Sequence, residues 1–481
     1  SVAAAAEKPA YVVESGPAAG VVGAHRAALA AGFKNVISFD MGGTTAKASL
    51  IEGGERSWTT EYEVGAGIQL SSKLVKGRGH AVHLPVLDIA EVGAGGGSIV
   101  WVDRGGALKV GPQSAGAAPG PACYGTGGAE ATVTDANVVL GYISPERLAG
   151  GAVRVLPELA ARAIEARAAG PLGMSLADAA LGVHTVANTT MIRALKAVST
   201  YRGRDPREFA LFAFGGNGPV HAAGLARALG ISMVVVPPAP GLFSAVGMLE
   251  AEPEHHFVQT FLARAEETAD GAVEAAYREI EGRAKNALAA DGYTAVVPSP
   301  LRPDSNRDQG GASPAPNGHP GGRGDPAIKW RRRADMRYAG QAFELTVDAS
   351  APRSGTLTGA LVQRFHAEHQ RTYGHHAPGE SVELVNLRVA ALLAGSKVRA
   401  NQAEGLPSAG ASPRPQRRDA RFEGRQGFMA TPVIGRDGLG RKPQRGPLIV
   451  EEYDATTVVP PGCTAALDAG GNIVISVGGN T

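Results

Sequence analysis

The sequence predicts an α/β fold with more than one domain, and three observations carry this prediction. A β-rich run at residues 35–39 stops at a pair of glycines, and an alternating run resumes at residues 46–51, as in two strands joined by a hairpin. A second β-rich run, residues 209–214, also ends in glycines and is followed by a helical pattern at 218–229 and a strand at 233–236. This β-glycine-α-β order is typical of an α/β layer. The length of 481 residues leaves room for about three domains.

The remaining elements follow from local patterns along the chain. A strand-like run at 11–13 precedes Ser15, which we interpret as the N-cap of a helix with Pro17 in its first turn. Residues 93–128 are mostly glycine, proline and small side chains, so they predict a long loop system shaped by the backbone. Strands or strand-rich segments are predicted at 57–63, 99–103, 329–348, 382–393 and 446–459, and helices at 157–169, 176–200 and 361–373.

The composition excludes several classes of protein. Lys and Arg total 47 against 45 Asp and Glu, a net charge of +2, so neither nucleic acid nor an anionic membrane is expected as a partner. No apolar run approaches the ~20 residues of a membrane span, and residues 1–6 lack the basic and apolar regions of a secretory signal. Two cysteines exclude a disulfide framework and a four-cysteine zinc site, and they fit a reducing cytosol. We therefore predict a soluble, cytoplasmic protein.

Two segments interrupt the pattern of a folded chain. Residues 303–326 hold six glycines, five prolines and no large aliphatic side chain, so they cannot bury enough apolar area to offset the entropy of ordering. We interpret them as a disordered loop. Residues 401–418, rich in proline and arginine, form a second such segment.

The sharpest short motif is Asp-Met-Gly-Gly-Thr-Thr at residues 40–45. In a turn between two strands, Gly42 and Gly43 let backbone N–H groups approach phosphate oxygens, and the hydroxyls of Thr44 and Thr45 add donors. Asp40, at the end of the first strand, can hold Mg²⁺ through water. An ordinary glycine hairpin, in which Asp40 accepts hydrogen bonds from turn amides, explains the same residues. The motif alone leaves both interpretations open.

The second motif, Phe-Gly-Gly-Asn-Gly-Pro-Val-His at residues 214–221, lies where a strand gives way to a helix. Gly215, Gly216 and Gly218 would let a flat base or a ribose lie against the backbone at the helix N-terminus. Their spacing is not that of the GxGxxG dinucleotide fingerprint. The alternative is tight packing of a βα corner, in which His221 is a packed or capping histidine.

Together with longer blocks, the two motifs resemble the hydantoinase A / 5-oxoprolinase / acetone carboxylase β-subunit family, which lies within the actin and hexokinase superfamily of ATPases. The resemblance extends from Ser15 to Val459. The other blocks that carry it lie at residues 15–20, 93–99, 111–125, 132–137, 202–207, 335–341 and 385–389.

The resemblance implies both a fold and a nucleotide site. The fold would consist of ribonuclease-H-like lobes that close over ATP, followed by a C-terminal β-rich domain. Asp40 and the turn at 42–45 would bind the β- and γ-phosphates of ATP together with Mg²⁺. Gly215, Gly216 and Gly218 would face the adenosine.

The resemblance also implies a division into domains. We expect an ATPase-type domain with both motifs (1–260), a helical connector (261–302), the disordered loop (303–326) and a C-terminal β-rich domain (327–481). Family members begin with a further lobe that has its own Asp-x-Gly-Gly-Thr loop, and nothing of this kind precedes Ser15. We therefore expect the N-terminal lobe of the family to be absent, in a truncated or separately encoded portion, and a separate chain could supply it.

The implied function is that of an ATP-dependent hydrolase subunit. It would activate a cyclic amide, such as hydantoin, 5-oxoproline or a related lactam, by phosphorylation, and a hydantoinase B-type partner subunit would complete ring opening. Without that partner the subunit would be inactive. Two alternatives stay open: the β-subunit of an ATP-dependent ketone carboxylase, and a non-catalytic nucleotide-binding scaffold, because the first lobe is missing.

One position departs from the family pattern. Many members have Gly-Gly-Thr-Ser-Thr-Asp where this chain continues Thr44-Thr45-Ala46-Lys47, so Lys47 replaces a carboxylate at the phosphate end of the motif. Lys47 either neutralises phosphate charge directly, as a nucleotide-binding residue, or is a solvated strand residue.

Two further carboxylates are candidates for catalysis. Glu91, three residues after Asp88, could form a pair with it that orients a metal ion or a water molecule. For Asp88 itself we favour a structural role, in which it accepts hydrogen bonds from glycine-rich backbone. Asp135 is either the N-cap of a helix or, with Asn137, part of a polar pair that faces the cleft.

We interpret the other notable side chains as structural or exposed. His80 and His83 would share a strand face poorly, so a metal site is not expected there. Cys123 lacks an adjacent histidine or basic residue to lower its pKa, which argues against a catalytic thiolate. The residues predicted to lie on the polar surface are His366, His369, His375, His376 and the arginines at 331–333.

Overall fold

The computed structural model describes residues 6, 9–64, 80–291, 327–394 and 416–478. The segment 303–326, predicted to be a disordered loop, lies outside these residues, as does most of the second low-complexity segment. The described residues form two compact units. The smaller unit belongs to residues 252–398, and the larger unit combines residues before and after that stretch.

The helices and strands alternate along most of the chain. The helices of seven or more residues are α1 (Ser15–Ala30), α2 (Val133–Val139), α3 (Pro157–Ile164), α4 (Leu176–Val198), α5 (Gly218–Leu229), α6 (Phe243–Glu250), α7 (Asp270–Ala290) and α8 (Leu357–Tyr373). The strands are β1 (Val36–Met41), β2 (Ala46–Glu52), β3 (Glu55–Arg56), β4 (Trp58–Val64), β5 (His80–Leu87), β6 (Ile89–Val92), β7 (Ser98–Val102), β8 (Leu108–Ser114), β9 (Arg147–Leu148), β10 (Val153–Arg154), β11 (Ala210–Phe214), β12 (Met233–Val236), β13 (Glu254–Arg264), β14 (Ala327–Tyr338), β15 (Leu345–Asp348), β16 (Val382–Ala394), β17 (Gln416–Arg421), β18 (Phe428–Ile434), β19 (Gln444–Arg445), β20 (Leu448–Glu451), β21 (Thr456–Val459), β22 (Cys463–Leu467) and β23 (Ile473–Val477).

The larger unit is built on a nine-stranded mixed sheet. Its strands follow the order β19-β22-β23-β12-β11-β1-β2-β3, and β6 pairs with β2 as well. Strands β1, β11 and β12 are parallel, whereas β2 runs antiparallel to β1 and β23 runs antiparallel to β12. Because β1 and β11 lie side by side and parallel, the turns that follow them meet at one edge of the sheet.

Helices cover both faces of this sheet. On one face α4 packs against β2 and β6 through buried small and aliphatic side chains, among them Val183 and Met191. On the other face α1 packs against α6, and Phe212, Phe214 and Phe243 form an aromatic cluster there with ring centroids 5.2 to 6.4 Å apart. The approach of the two helices requires Gly247, since a Cβ at that position would collide with the carbonyl oxygen of Ala19.

The smaller unit is an antiparallel sheet of the order β13-β16-β14-β15 with two helices, α7 and α8. Its core is formed by large side chains from every layer, including Tyr277, Met336, Phe365 and Leu384, all of them at or near zero exposure. The unit therefore has a hydrophobic core of its own.

The predicted α/β class is confirmed, and the bounds of α5 and β12 coincide with those predicted. Two expectations near the N-terminus are wrong. Residues Pro9–Val12 form a 3₁₀ turn instead of a strand, and Ser15 is the first helical residue, not the cap. The N-cap of α1 is Glu14, which has a left-handed φ of 60° and makes no side-chain capping bond.

Two further segments differ from their predicted form. Besides the predicted strand at 99–103, which is β7, the stretch at 93–128 contains a second strand, β8, that pairs with β7 as a hairpin. The helix predicted at 157–169 is α-helical only as far as Ile164 and continues as a π-helical turn, Glu165–Ala169.

The grouping of residues also differs from the predicted domain boundaries. We expected residues 327–481 to form one β-rich domain, but strands β17 to β23 belong to the larger unit. The physical reason is hydrogen bonding, because β23 extends the main sheet next to β12. None of the helices within the described ranges combines the length and the apolar composition that crossing a membrane requires.

Candidate functional site

The turn between β1 and β2, residues 42–45, is the centre of the candidate site, and we call it the phosphate turn. It is closed by a hydrogen bond from the amide of Gly42 to the carbonyl of Thr45, 3.2 Å. Gly43 and Thr44 are exposed, and among the described residues no acceptor pairs with their amides. A Cβ built at Gly42 or Gly43 would meet nothing within 4 Å. The outer side of the turn is therefore open to a ligand and lined with N–H donors.

Asp40 lies at the base of the phosphate turn, on the face of the sheet that α1 covers. The Asp40 side chain is half-buried. Desolvation by the surrounding protein raises the pKa of its carboxyl, and the positive charge of Lys47 opposes this shift. Gly215, with φ +79°, passes so close that a Cβ there would collide with the Asp40 carboxylate. A recess beside it is lined by Pro17, Val21, Ser38, Asp40, Lys47, Ala48, Ile89 and Phe214.

Lys47 faces Asp40 from β2 and is a paired cation. Its Nζ lies 3.0 Å from Oε1 of Glu91, its cross-strand neighbour on β6, and 3.6 Å from Oε2 of Glu14. It also donates to the Thr45 hydroxyl over 3.0 Å. With 16% of its side chain exposed, Lys47 is not the solvated strand residue that we considered. Glu91, predicted to be catalytic, lies in the site as a counter-ion of Lys47.

Sequence reasoning missed Glu14 altogether. It holds the left-handed N-cap position of α1, a conformation that costs a non-glycine residue free energy. A glutamate at the start of a helix has no distinctive pattern, so only the strained backbone and the contact with Lys47 reveal it.

The glycine-rich loop at 93–98 lies directly against the inner side of the phosphate turn. The amides of Gly96 and Gly97 donate to the carbonyls of Gly42 and Gly43, at 3.0 and 2.6 Å. A Cβ at Gly95 would lie 2.5 Å from the backbone of Thr44, so the two segments can approach this closely only because position 95 is glycine.

The second motif meets the first across β1 and β11. The amide of Asn217 donates to the carbonyl of Met41 over 3.0 Å, and its Nδ2 donates to the carbonyl of Gly42 over 3.2 Å. Gly218 begins α5, and the position that a Cβ would take there lies 3.6 Å from the amide nitrogen of Met41. The two motifs thus form one continuous surface.

A segment from the far end of the sequence borders the second motif. The position that a Cβ would take at Gly216 lies 3.7 Å from the carbonyl oxygen of Asp454. The Asp454 carboxylate accepts a hydrogen bond of 3.1 Å from the amide of Leu242, and burial raises its pKa. No local pattern near Asp454 indicated this contact, because it depends on the pairing of distant strands.

Asp135, also predicted to be catalytic, has a different environment. It is fully buried and accepts hydrogen bonds from the hydroxyl of Thr132 (2.7 Å) and from three amides, those of Thr132 (2.9 Å), Cys123 (2.7 Å) and Ala122 (3.3 Å). The N-cap of α2 is Thr132, and Asp135 completes its capping box, so the predicted N-cap role is wrong by three residues. This geometry favours a structural role for Asp135 over a catalytic one.

Asp88 and Glu91 do not form the carboxylate pair that we considered. Asp88 is buried and forms a bidentate ion pair with Arg202, in which Nη2 of Arg202 lies 3.1 Å from Oδ1 of Asp88. Burial lowers the pKa of Arg202 to about 10. Since Glu91 is engaged with Lys47, each carboxylate has its own cation.

His221 lies in the core, in a polar network behind the site. Its Nδ1 donates to Asn188 over 2.7 Å, its Nε2 accepts from Asn137 over 3.2 Å, and its ring stacks on that of His184 at 4.3 Å. His184 in turn donates to Asn137 over 2.8 Å. Burial lowers the pKa of His184 to about 4 and that of His221 well below the ordinary value, so both rings are neutral.

Several residues predicted to be on the surface are not there. His366 and His369 are buried in the smaller unit, packed around Tyr338. Arg332 forms ion pairs with Glu274 and Glu281 at 2.8 and 2.7 Å. Within the described ranges, no three His, Cys, Asp or Glu side chains are placed to hold a metal ion. Cys123 is buried, which raises the pKa of its thiol and fits the prediction that it is not a thiolate.

Comparison with known proteins extends this picture. Residues 1–257 match the model of the hydantoinase/oxoprolinase family. An uncharacterized protein of Methanocaldococcus jannaschii is 38% identical over 96% of this chain and 62% of its own length. The alpha subunit of caprolactamase from Pseudomonas jessenii is 32% identical over 96% of this chain and 61% of its own length. The beta subunit of acetone carboxylase from Xanthobacter autotrophicus is 30% identical over 74% of this chain and 50% of its own length.

A solved structure agrees with these sequence relatives. The crystal structure of the ATP-dependent caprolactamase from Pseudomonas jessenii superimposes with a TM-score of 0.75 at 29% identity, covering 96% of this chain and 61% of that one. The chain therefore belongs to the hydantoinase/oxoprolinase family and has the ATPase-like fold of these enzymes. It spans about three fifths of the length of the first relatives named above.

Proposed function

We propose that this member of the hydantoinase/oxoprolinase family is an ATP-dependent hydrolase subunit that activates a cyclic amide for ring opening. One observation carries the proposal: the exposed amides of Gly43 and Thr44 lie beside Asp40, in a turn held from behind by the glycine-rich loop. A turn with outward N–H groups is a natural cradle for phosphate oxygens. The ATP dependence of the related caprolactamase supports the same ligand.

Asp40 is the residue that would hold Mg²⁺. The ion commonly uses one or two carboxylates, substrate phosphates and water, so a single carboxylate next to a phosphate cradle fits its donor preference. The other two carboxylates of the site, Glu14 and Glu91, are engaged with Lys47. When bound, Mg²⁺ would neutralise charge on the transferring phosphoryl group.

Lys47 and the threonines complete the phosphate side. The Lys47 ammonium lies at the base of the turn and would add positive charge near the γ-phosphate, while Thr44 and Thr45 supply hydroxyl donors. On the other side, the exposed Gly216 would leave room for the adenosine against the backbone, whereas Gly215 and Gly218 are buried against β1.

The chemistry follows from the weak reactivity of an amide. Transfer of the γ-phosphoryl group to the amide oxygen forms an O–P bond and breaks the bond between the γ-phosphorus and the ADP oxygen. The phosphorylated amide oxygen is then a good leaving group. Water then adds to the activated carbon, and the ring C–N bond breaks as the departing nitrogen takes up a proton, which leaves an acyl phosphate. A second water molecule hydrolyses the acyl phosphate to the carboxylate and free phosphate. We propose that a hydantoinase B-type partner subunit supplies the hydrolytic half, in a cytoplasmic hetero-oligomer.

Nucleotide turnover tests this proposal. The protein is mixed with its hydantoinase B-type subunit, ATP, Mg²⁺ and, in turn, hydantoin, 5-oxoproline and caprolactam, and ADP release is measured. We expect ADP release that requires both the lactam and the partner. No nucleotide turnover with any lactam or ketone would overturn the proposal and favour a nucleotide-binding scaffold or a protein of another function.

A ketone carboxylase subunit is the second candidate, and the similarity to the acetone carboxylase beta subunit favours it. The phosphate site would be the same, with a ketone as acceptor of the activated group. ADP release that depends on bicarbonate and a ketone, and not on a lactam, would identify this activity.

A further inference from the structure

Asn217 occupies the N-cap position of α5 but does not cap the helix. Asparagine is among the best N-cap residues because its side-chain oxygen accepts a hydrogen bond from an amide of the first turn. Here no such bond exists, and Nδ2 instead donates across to the carbonyl of Gly42, 3.2 Å away. By contrast, Ser175 at the N-cap of α4 does accept a bond from the amide of Asp178.

The carbonyl of Gly42 is therefore held by two donors from different elements. One is the Asn217 side chain and the other is the amide of Gly96, at 3.0 Å. Gly96 is fixed in turn by Thr134 at the start of α2, whose amide and hydroxyl both donate to its carbonyl at 2.8 and 2.9 Å. A Cβ at Gly96 would lie 2.6 Å from Nδ2 of Asn217 and 2.7 Å from the Thr134 hydroxyl, so no other residue fits between them.

These bonds fix the direction of the peptide groups in the phosphate turn. A peptide group has its N–H and its C=O on opposite sides. Because the carbonyls of Gly42 and Gly43 are bound on the inner side of the turn, the amides that follow them, those of Gly43 and Thr44, point outward. The hydrogen bond from Asn217 to the Gly42 carbonyl thus helps to fix the direction of the amides that would contact phosphate.

We propose that Asn217 is a positioning residue of the phosphate turn, which fixes the orientation of the Gly42–Gly43 peptide instead of capping its own helix. This inference rests on the proposed nucleotide site. It assigns to Asn217 a task that differs from contact with the adenosine, and it explains why a helix of twelve residues begins without a side-chain cap.

Asn217→Asp is the decisive variant, because it separates capping of α5 from positioning of the phosphate turn. The substitution should improve capping, which raises stability, and should impair positioning, which weakens nucleotide binding. Aspartate keeps the size and improves capping and the charge at a helix N-terminus, but it loses the Nδ2 donor and repels the Gly42 carbonyl. We expect the Kd for MgATP, measured by titration calorimetry, to rise about tenfold or more, with an unchanged or higher melting temperature. Ser175→Ala is the matched control: it should lower the melting temperature slightly and leave the Kd unchanged.

Hydrogen exchange separates failure of this inference from failure of the proposed function. If the wild type binds ATP and Asn217→Asp binds it equally well, the positioning role is wrong. If the wild type binds no ATP, the proposed function fails, and exchange of the peptide that spans the phosphate turn still decides: faster exchange in Asn217→Asp supports positioning, and unchanged exchange overturns it. Should that variant not fold, Asn217→Ser gives the same comparison, because serine is also a good N-cap residue but lacks the Nδ2 donor to the Gly42 carbonyl.

Discussion

The phosphate turn and the start of α2 are two regions that resemble each other in sequence and differ in physical state. Each has an aspartate among threonines and small residues, and each was predicted to take part in catalysis. Asp135 is fully buried and saturated by four donors from its own neighbourhood. Asp40 lies at the base of a turn in which the amides of Gly43 and Thr44 have no acceptor among the described residues, and burial raises the pKa of its carboxyl. A carboxylate whose acceptor capacity is already used stabilises the fold, whereas one left near unused donors can serve a ligand.

The strongest test of this contrast is Asp40→Asn. The amide preserves shape and removes the charge that Mg²⁺ requires. We expect ATP turnover in the reconstituted complex to fall by about 100-fold or more, ~2.7 kcal/mol of transition-state stabilisation. The melting temperature should change little. Asp103→Asn, in an exposed hairpin turn, serves as the control, and full activity of Asp40→Asn would show that Asp40 belongs with Asp135 as a structural residue.

Asp135→Asn should show the opposite profile. Replacing one carboxylate oxygen by an NH₂ group leaves at least one buried amide donor facing another donor. The free energy of unfolding, measured by urea denaturation, should fall by about 2–3 kcal/mol. Activity per folded molecule should persist at temperatures well below the transition. A loss of activity without a loss of stability would return Asp135 to the catalytic group.

Thr44→Val probes the outer side of the phosphate turn with a smaller change. Valine keeps the volume and removes a hydroxyl donor that is exposed and therefore contributes little to stability. We expect the KM for ATP to rise about tenfold. Thr44→Ser retains the hydroxyl and should behave like the wild type. Equal kinetics for the valine and serine variants would show that this hydroxyl does not contact phosphate.

The pH dependence should give the smallest effect. The pKa of Asp40 is raised in the folded state, so the native protein binds this proton more tightly than the unfolded chain does. Asp40 therefore lowers the free energy of unfolding at pH values above its folded-state pKa. This destabilisation disappears as the pH falls through that pKa. The acid limb of ATP turnover should accordingly lie above the pKa of an ordinary aspartate. Lys47→Met removes the charge that lowers this pKa and should move the limb to higher pH; a limb that stays in place would contradict the coupling.

Local patterns predicted the framework of the site well. The β1–β2 hairpin, α5 and β12 follow from periodicity and glycine positions, because these elements are determined by residues close in sequence. The pairing of Lys47 with Glu91 and Glu14, the Asp454 contact and the burial of His366 arise from elements far apart in the chain. Asp135 was assigned to the wrong cap position because Thr132, three residues earlier, satisfies the same capping pattern.

Strand β23 extends the sheet of the larger unit by pairing Ile473 with Val236 of β12. During synthesis, β12 remains an edge strand until the residues that follow the entire smaller unit have left the ribosome. Until then its unpaired backbone groups can form hydrogen bonds with another chain. Such distant pairings slow folding and lengthen the exposure of apolar strands. In cells, the yield of this protein should therefore depend on chaperones that shield the edge of β12 during translation, more than on the stability of the finished fold.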